Sequence, residues 1–161
     1  MALFARIRLT AICLLFMAPS AGAVDLVGRP VPDLHAVDLR RQPIALAEWR
    51  GNRILVTFWA TWCRPCREEL PRVQKVYDRY RARGFRVVAV NVGEGREDVT
   101  AYIDKAGLTF PIVLDPDGDA AARFGALGLP TSYVIDAEGI VRAEITGAGL
   151  TEARLEAIAR D

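Results

Sequence analysis

Residues 54–70 read ILVTFWATWCRPCREEL. A continuous, partly β-branched apolar run leads into two cysteines three positions apart, and then into charged residues. An apolar run of this kind suits a strand buried on both faces of a sheet. Beyond the cysteines, Leu70, Val73, Tyr77 and Tyr80 recur at three- and four-residue intervals, which predicts one apolar helix face, ended by Gly84. Few folds accept a central strand, a short thiol-bearing loop and a helix in immediate succession.

The rest of the chain continues the alternation. Residues 85–92 predict a second strand. Val99, Tyr102, Ile103 and Ala106 form a helical stripe closed by Gly107. Residues 110–114 predict a short strand and 119–124 a short helix. Strands at 132–135 and 140–145 are joined by Asp136-Ala137-Glu138-Gly139, a hairpin signal. Thr151 caps a last helix, with Leu155, Ile158 and Ala159 on one face. Upstream, 25–33 is an extended lead-in, and 34–52 is a hairpin-like arm with a weak strand at 43–46 and a turn at Gly51-Asn52. Phe58 and Trp59 are expected in the core and His35 on the surface of the arm. The pattern predicts an α/β domain, a parallel core sheet with helices on both faces and antiparallel strands added by the hairpin. An active site is expected at the carboxyl ends of the parallel strands, where the cysteine loop falls.

The first residues differ. Arg6 and Arg8 precede an apolar run at 9–18, then Pro19-Ser20 and Ala21-Gly22-Ala23. These are the three parts of a secretory signal peptide, expected at 1–23 ahead of a domain at 24–161. An uncleaved anchor is the alternative, although the run is shorter than the roughly 20 residues of a membrane-spanning helix. Cys13 falls inside the run, so the exported domain keeps Cys63 and Cys66 as its cysteines. Export to a bacterial periplasm, or to the outer face of the membrane, means an oxidising compartment. The 21 basic and 20 acidic residues nearly cancel, and no basic stripe with interleaved aromatics occurs, which argues against nucleic acid as a partner.

A Cys-x-x-Cys pair is half a zinc site, a structural disulfide or a redox couple. Zinc requires about four ligands, and the one histidine is His35. A structural bridge gains stability by closing a long loop, and this loop is minimal. The redox couple fits best. A helix N-terminus presents free N–H groups and a partial positive charge, both of which stabilise a thiolate. Arg64 and Arg67 add charge, and Pro65 sits in the first turn, where its missing N–H costs nothing. Cys63, expected to be the more exposed thiol, attacks a substrate disulfide, and Cys66 resolves the mixed disulfide. The same steps run in either direction.

WCRPC after a buried strand, followed by Gly128-Leu129-Pro130-Thr131, resembles the thioredoxin fold over nearly all of 24–161. FWATWCRPCREELP, VVAVNVGE, TFPIVLD and GLPTSYVID resemble the exported thioredoxin-like subfamily that includes TlpA, ResA and the cytochrome c maturation thioredoxins of the CcmG/DsbE type. Residues 92–110 resemble its central insert. The resemblance implies a mixed central sheet and a cis peptide at Pro130, which presents backbone to the substrate beside the cysteines. Trp62 matches the tryptophan that borders the site. Trp62, Arg64, Pro65, Leu129, Thr131 and Glu94 are the residues expected on the substrate side. Glu69, three residues after Cys66, matches a glutamate that handles protons near the thiols, whereas Glu68 is expected to be an exposed acid. Thr57 stands where cytoplasmic thioredoxins carry an acid. Pro71 is expected to kink the helix.

The resemblance further implies no cofactor beyond the redox-active cysteine pair and a disulfide-containing protein as substrate, such as the oxidised haem-binding motif of apocytochrome c. A membrane thiol transporter of the DsbD/CcdA type would be the electron donor. Among rivals, a thiol peroxidase would carry Thr or Ser three residues before the attacking cysteine, and Ala60 stands there. A Cu(I) carrier would add a later histidine, and none follows His35. A disulfide donor of the DsbA type carries a large helical insertion for which there is no room. Residues 115–119 superficially resemble a calcium loop, but the glycine comes too early and Ala126 stands where the bidentate Glu belongs, so a turn is expected.

Overall fold

The structure is a computed structural model that describes residues 25–160. The signal-peptide segment expected at 1–23, Cys13 included, lies outside the described residues. The elements, in chain order, are β1 (His35–Val37), β2 (Pro43–Ala45), β3 (Arg53–Trp59), α1 (Arg64–Tyr80), β4 (Phe85–Val92), α2 (Arg96–Ala106), β5 (Ile112–Asp115), α3 (Asp119–Phe124), β6 (Thr131–Ile135), β7 (Val141–Thr146) and α4 (Glu152–Arg160). β1 and β2 pair antiparallel as the expected arm. The other five strands form one mixed sheet in the order β5-β4-β3-β6-β7. β3, β4 and β5 are parallel, β6 runs antiparallel to β3, and β7 runs antiparallel to β6 and so in the direction of the first three. This is the thioredoxin-like architecture that the motifs imply.

β3 is central because it has almost nothing to offer water: from Ile54 to Trp59 every residue is buried. Its alternation divides the core. Leu55 and Trp59 face α1, α2 and α4, meeting Leu70, Val73, Val99 and Leu155. Ile54, Val56 and Phe58 face α3 and the arm, meeting Phe124, Leu34, Ile44 and Leu46. At Thr57, the strand's one buried hydroxyl is satisfied across the sheet by Ser132 Oγ, which donates at 2.8 Å. The strand expected at 110–114 begins later, at Ile112, because Pro111 has no N–H for the ladder; its carbonyl still accepts from Ala89 N at 2.9 Å. α1 continues through Pro71, which leaves the Arg67 carbonyl without its helical donor.

The N-terminal segment covers part of both sheet edges. Gly28 N donates to Val141 O at 2.8 Å on the β7 side, and Leu39 N donates to Ile112 O at 2.9 Å on the β5 side. Covered edges do not template pairing with other chains. The turn expected at 115–119 is held by Asp115, whose two carboxylate oxygens accept from Ala120 N at 3.0 Å and Ala121 N at 2.9 Å at the start of α3. Thr151 Oγ1 accepts from Arg154 N at 3.2 Å, the expected cap of α4.

Candidate functional site

β3 ends at Trp59, and within four residues the chain turns into α1. Cys63 N donates to Ala60 O at 3.2 Å, closing the turn. Cys63 is the N-cap of α1, and its Sγ accepts from Cys66 N at 3.3 Å. Cys63 and Cys66 form a disulfide, with their Cα atoms 5.3 Å apart. Pro65 lies in the first turn, where no helical donor is required. Cys63 is 4 % exposed and Cys66 1 %, so the expected order holds, although both sulfurs are largely covered.

One turn into α1 lies Glu69, 2 % exposed. Its Oε1 accepts from Leu150 N at 3.0 Å, which ties α1 to the loop before α4. Burial pushes the Glu69 carboxyl above its ordinary value, against the opposing pull of the Leu150 N–H and the Arg72 charge. Because the folded carboxyl holds its proton to higher pH than the unfolded one, its share of stability is fully present below the unfolded value. That share is lost as pH rises through the folded value. Glu69→Gln keeps an acceptor for Leu150 N and removes the titration. Urea unfolding of the oxidised protein between about pH 4 and pH 8 should therefore lose part of its downward slope in the variant. Identical slopes in variant and parent would remove Glu69 as a buried titrating group. Glu68 is exposed and pairs with Arg64 at 3.1 Å, as an outward acid should.

The second wall comes from the segment before β6. Phe58 pairs with Thr131 in the β3–β6 register, which brings Pro130 level with Trp59, at the mouth of the cysteine loop. The Leu129–Pro130 peptide is cis, as the motif implies. Pro130 O accepts from Gly147 N at 2.9 Å, so β7 holds this wall in place. Leu129 is half-buried between the two cores. Thr131, expected on the substrate side, is instead buried, and its hydroxyl donates to Gly128 O at 2.7 Å, closing the turn. Trp62 is 70 % exposed and Arg64 lies outside beside it, so both are open to a partner.

Glu94 reaches the cysteine loop from the β4–α2 connection. Its carboxylate accepts from Thr61 N at 2.6 Å, from the Thr61 hydroxyl and from Asn91 Nδ2 at 2.7 Å. With three donors converging on it, Glu94, expected on the substrate side, braces the cysteine loop. Thr61 and Asn91 were not singled out from the sequence; a polar residue at the end of the apolar 85–92 run was the available signal for Asn91. Leu127, 86 % exposed, was also missed.

A cleft of 320 Å³ runs from Pro130 along β7, and a larger cavity of 520 Å³ lies at the far end of the sheet, lined by Arg53, Arg83 and Asp136; neither is lined by a cysteine. The smaller cleft is the one that borders Pro130, which the β3–β6 register brings to the mouth of the cysteine loop. Among the described residues no three His, Cys, Asp or Glu side chains gather as a metal site, and no helix is long and apolar enough to cross a membrane.

The model of the AhpC/TSA family matches residues 27–144. The chain is 39 % identical over 121 residues to the thiol-disulfide oxidoreductase ResA of Geobacillus thermodenitrificans, covering 75 % of this chain and 70 % of the relative. A thiol:disulfide interchange protein of the thioredoxin family from Chlorobium tepidum has a similar solved structure, with TM-score 0.75 and 32 % identity over 85 % of this chain and 97 % of the other. StoA from Bacillus subtilis is similar at TM-score 0.71 and 26 % identity, over 83 % and 99 % of the two chains.

Proposed function

The chain belongs to the AhpC/TSA family and, within it, to the ResA-like thiol-disulfide oxidoreductases, and from that premise we propose that it is an exported reductant of selected protein disulfides. The observation that carries this reading is the Cys63–Cys66 pair at the start of α1, facing the Leu129–Pro130 wall, with a buried carboxyl at Glu69 one turn away.

In the reduced state, the Cys63 thiolate attacks one sulfur of the substrate disulfide. The S–S bond breaks, the other substrate sulfur leaves as a thiolate, and a mixed disulfide forms at Cys63. Cys66, deprotonated toward Glu69, then attacks Cys63 Sγ and expels the second substrate sulfur. Two electrons have passed to the substrate, and the protein disulfide is restored. A carboxyl with a raised pKa, placed a helical turn from Cys66, suits that proton exchange.

Export would follow from the 1–23 signal peptide. A reductant working in an oxidising space requires recharging, for which a membrane dithiol transporter of the DsbD/CcdA type is the fitting donor. The oxidised Cys-x-x-Cys-His motif of apocytochrome c is the fitting substrate. The rival peroxidase reading lacks its activating hydroxyl, since Ala60 precedes the loop and the Thr61 hydroxyl is held by Glu94.

The test mixes pre-reduced protein with a synthetic peptide carrying an oxidised Cys-x-x-Cys-His motif. Stoichiometric reduction of the peptide, with oxidation of Cys63 and Cys66, is expected. A reduced protein that leaves the peptide oxidised would contradict this reading.

A further inference from the structure

β7 is an edge strand, and the lead-in covers only its beginning: Val141 N donates to Arg29 O at 2.9 Å, while no strand pairs with the outer side from Arg142 to Thr146 among the described residues. Glu144 pairs in register with Tyr133, and Thr146 with Thr131. Glu144 therefore sits two residues along the strand from the level of Thr131, a step of about 7 Å. It lines the 320 Å³ cleft together with Leu127, Leu129, Pro130 and Thr146, and it is the one charged residue of that lining. Its carboxylate is exposed and makes no ion pair or hydrogen bond among the described residues. Leu127, in the same lining, is a large apolar side chain left almost wholly in water.

An apolar wall facing a single unpaired carboxylate fits a long basic side chain, whose aliphatic stem covers apolar surface while its charged head remains at the polar end. We propose that Glu144 is a specificity-determining residue, selecting protein substrates with a lysine or arginine within a few residues of the reacting disulfide. The inference rests on the reading that Cys63 exchanges with a protein disulfide beside Pro130.

The stem lies along Leu127 and Leu129, and the ammonium or guanidinium reaches Glu144. Other charges around the site confine the preference to this side. Arg64 and Arg67 stand on α1 beside Trp62, and Arg154 lies close to Gly149, past the end of β7. A basic residue approaching from the Trp62 side meets like charge, and an acidic one is favoured there. The two sides thus also orient the substrate chain across the cysteines.

The test follows single-turnover reduction by the pre-reduced full chain of disulfide-bridged peptides that differ at one position, Lys, Gln or Glu, two residues from the attacked cysteine. An exposed pair yields a modest factor, so the Lys peptide should react about threefold to fivefold faster than the Glu peptide at low salt. The ratio should shrink toward one at about 1 M salt, where the Debye length falls to about 3 Å. Glu144→Gln should abolish the ratio and Glu144→Lys should invert it. Glu138→Gln, which removes the same charge at the far turn of the hairpin, should leave it in place. A ratio that survives Glu144→Gln, or that Glu138→Gln lowers equally, would overturn the inference. So would a parent protein that reduces the Gln peptide and ignores charge, and that outcome spares the underlying function. Reduction of none of the peptides contradicts the underlying function and removes the inference with it.

Discussion

Cys63→Ser is expected to abolish thiol–disulfide exchange, a loss of several orders of magnitude of the kind seen when a nucleophile is removed. Cys66→Ala is expected to leave the first half of the reaction running and to stop the second. The asymmetry follows from position. Cys63 caps α1, where the free N–H groups and the positive end of the helix stabilise a thiolate, and Cys66 N already points at its sulfur at 3.3 Å. Cys66 is one turn deeper, 1 % exposed, and reaches Cys63 more readily than it reaches an incoming protein. Incubated with a disulfide-bridged peptide, the Cys66→Ala variant should accumulate a mixed disulfide through Cys63, readable by mass spectrometry after an acid quench. Cys63→Ala should accumulate none. Accumulation through Cys66 alone would reverse the two roles.

Phe124→Ala should have the largest effect on stability, about 3–5 kcal/mol, as for other fully buried aromatics. Phe124 is fully buried, its ring lies 5.1 Å from that of Phe58 and 5.5 Å from that of Tyr133, and its carbonyl accepts from the Tyr133 hydroxyl at 2.7 Å. The cavity would open beneath the segment that leads from α3 to Pro130. Domains of this size have about 5–15 kcal/mol in total, so the loss is a third or more for most of that range. Urea unfolding should show the midpoint falling accordingly, and exchange activity should fall with it as the Leu127–Pro130 wall loses its support. A change under about 1 kcal/mol would mean that the aromatic cluster does not hold this wall.

Most of the fold was legible because its strands and helices carry strong apolar patterns. The run at 54–59 is apolar on both faces, and the structure buries both. The spacing of Leu70 and Val73 placed their faces correctly. Boundaries were less legible. β5 starts after Pro111 rather than at Phe110, since a missing N–H outweighs the apolar character of the run. At the site, Cys63, Cys66, Glu69 and Pro130 were readable because they stand in contiguous motifs.

The brace formed by Thr61, Asn91 and Glu94 joins residues 33 positions apart at its widest, and no local spacing reports such a contact. Thr131 looked available because its motif adjoins the cleft, but the turn at Gly128 takes its hydroxyl inward. Glu144 and Leu127 line one cleft, and the β6–β7 register that places Glu144 there includes an irregularity at Val134/Ile135 that alternation alone does not announce.

The central claim is that the pair serves as a reductant, and its reduction potential tests this most directly. Equilibrating the protein with defined thiol buffers, and reading the fraction of Cys63 and Cys66 oxidised, should give a value at or below about −250 mV, close to thioredoxin. A value near about −120 mV, close to DsbA, would contradict the account and make the protein a donor of disulfides.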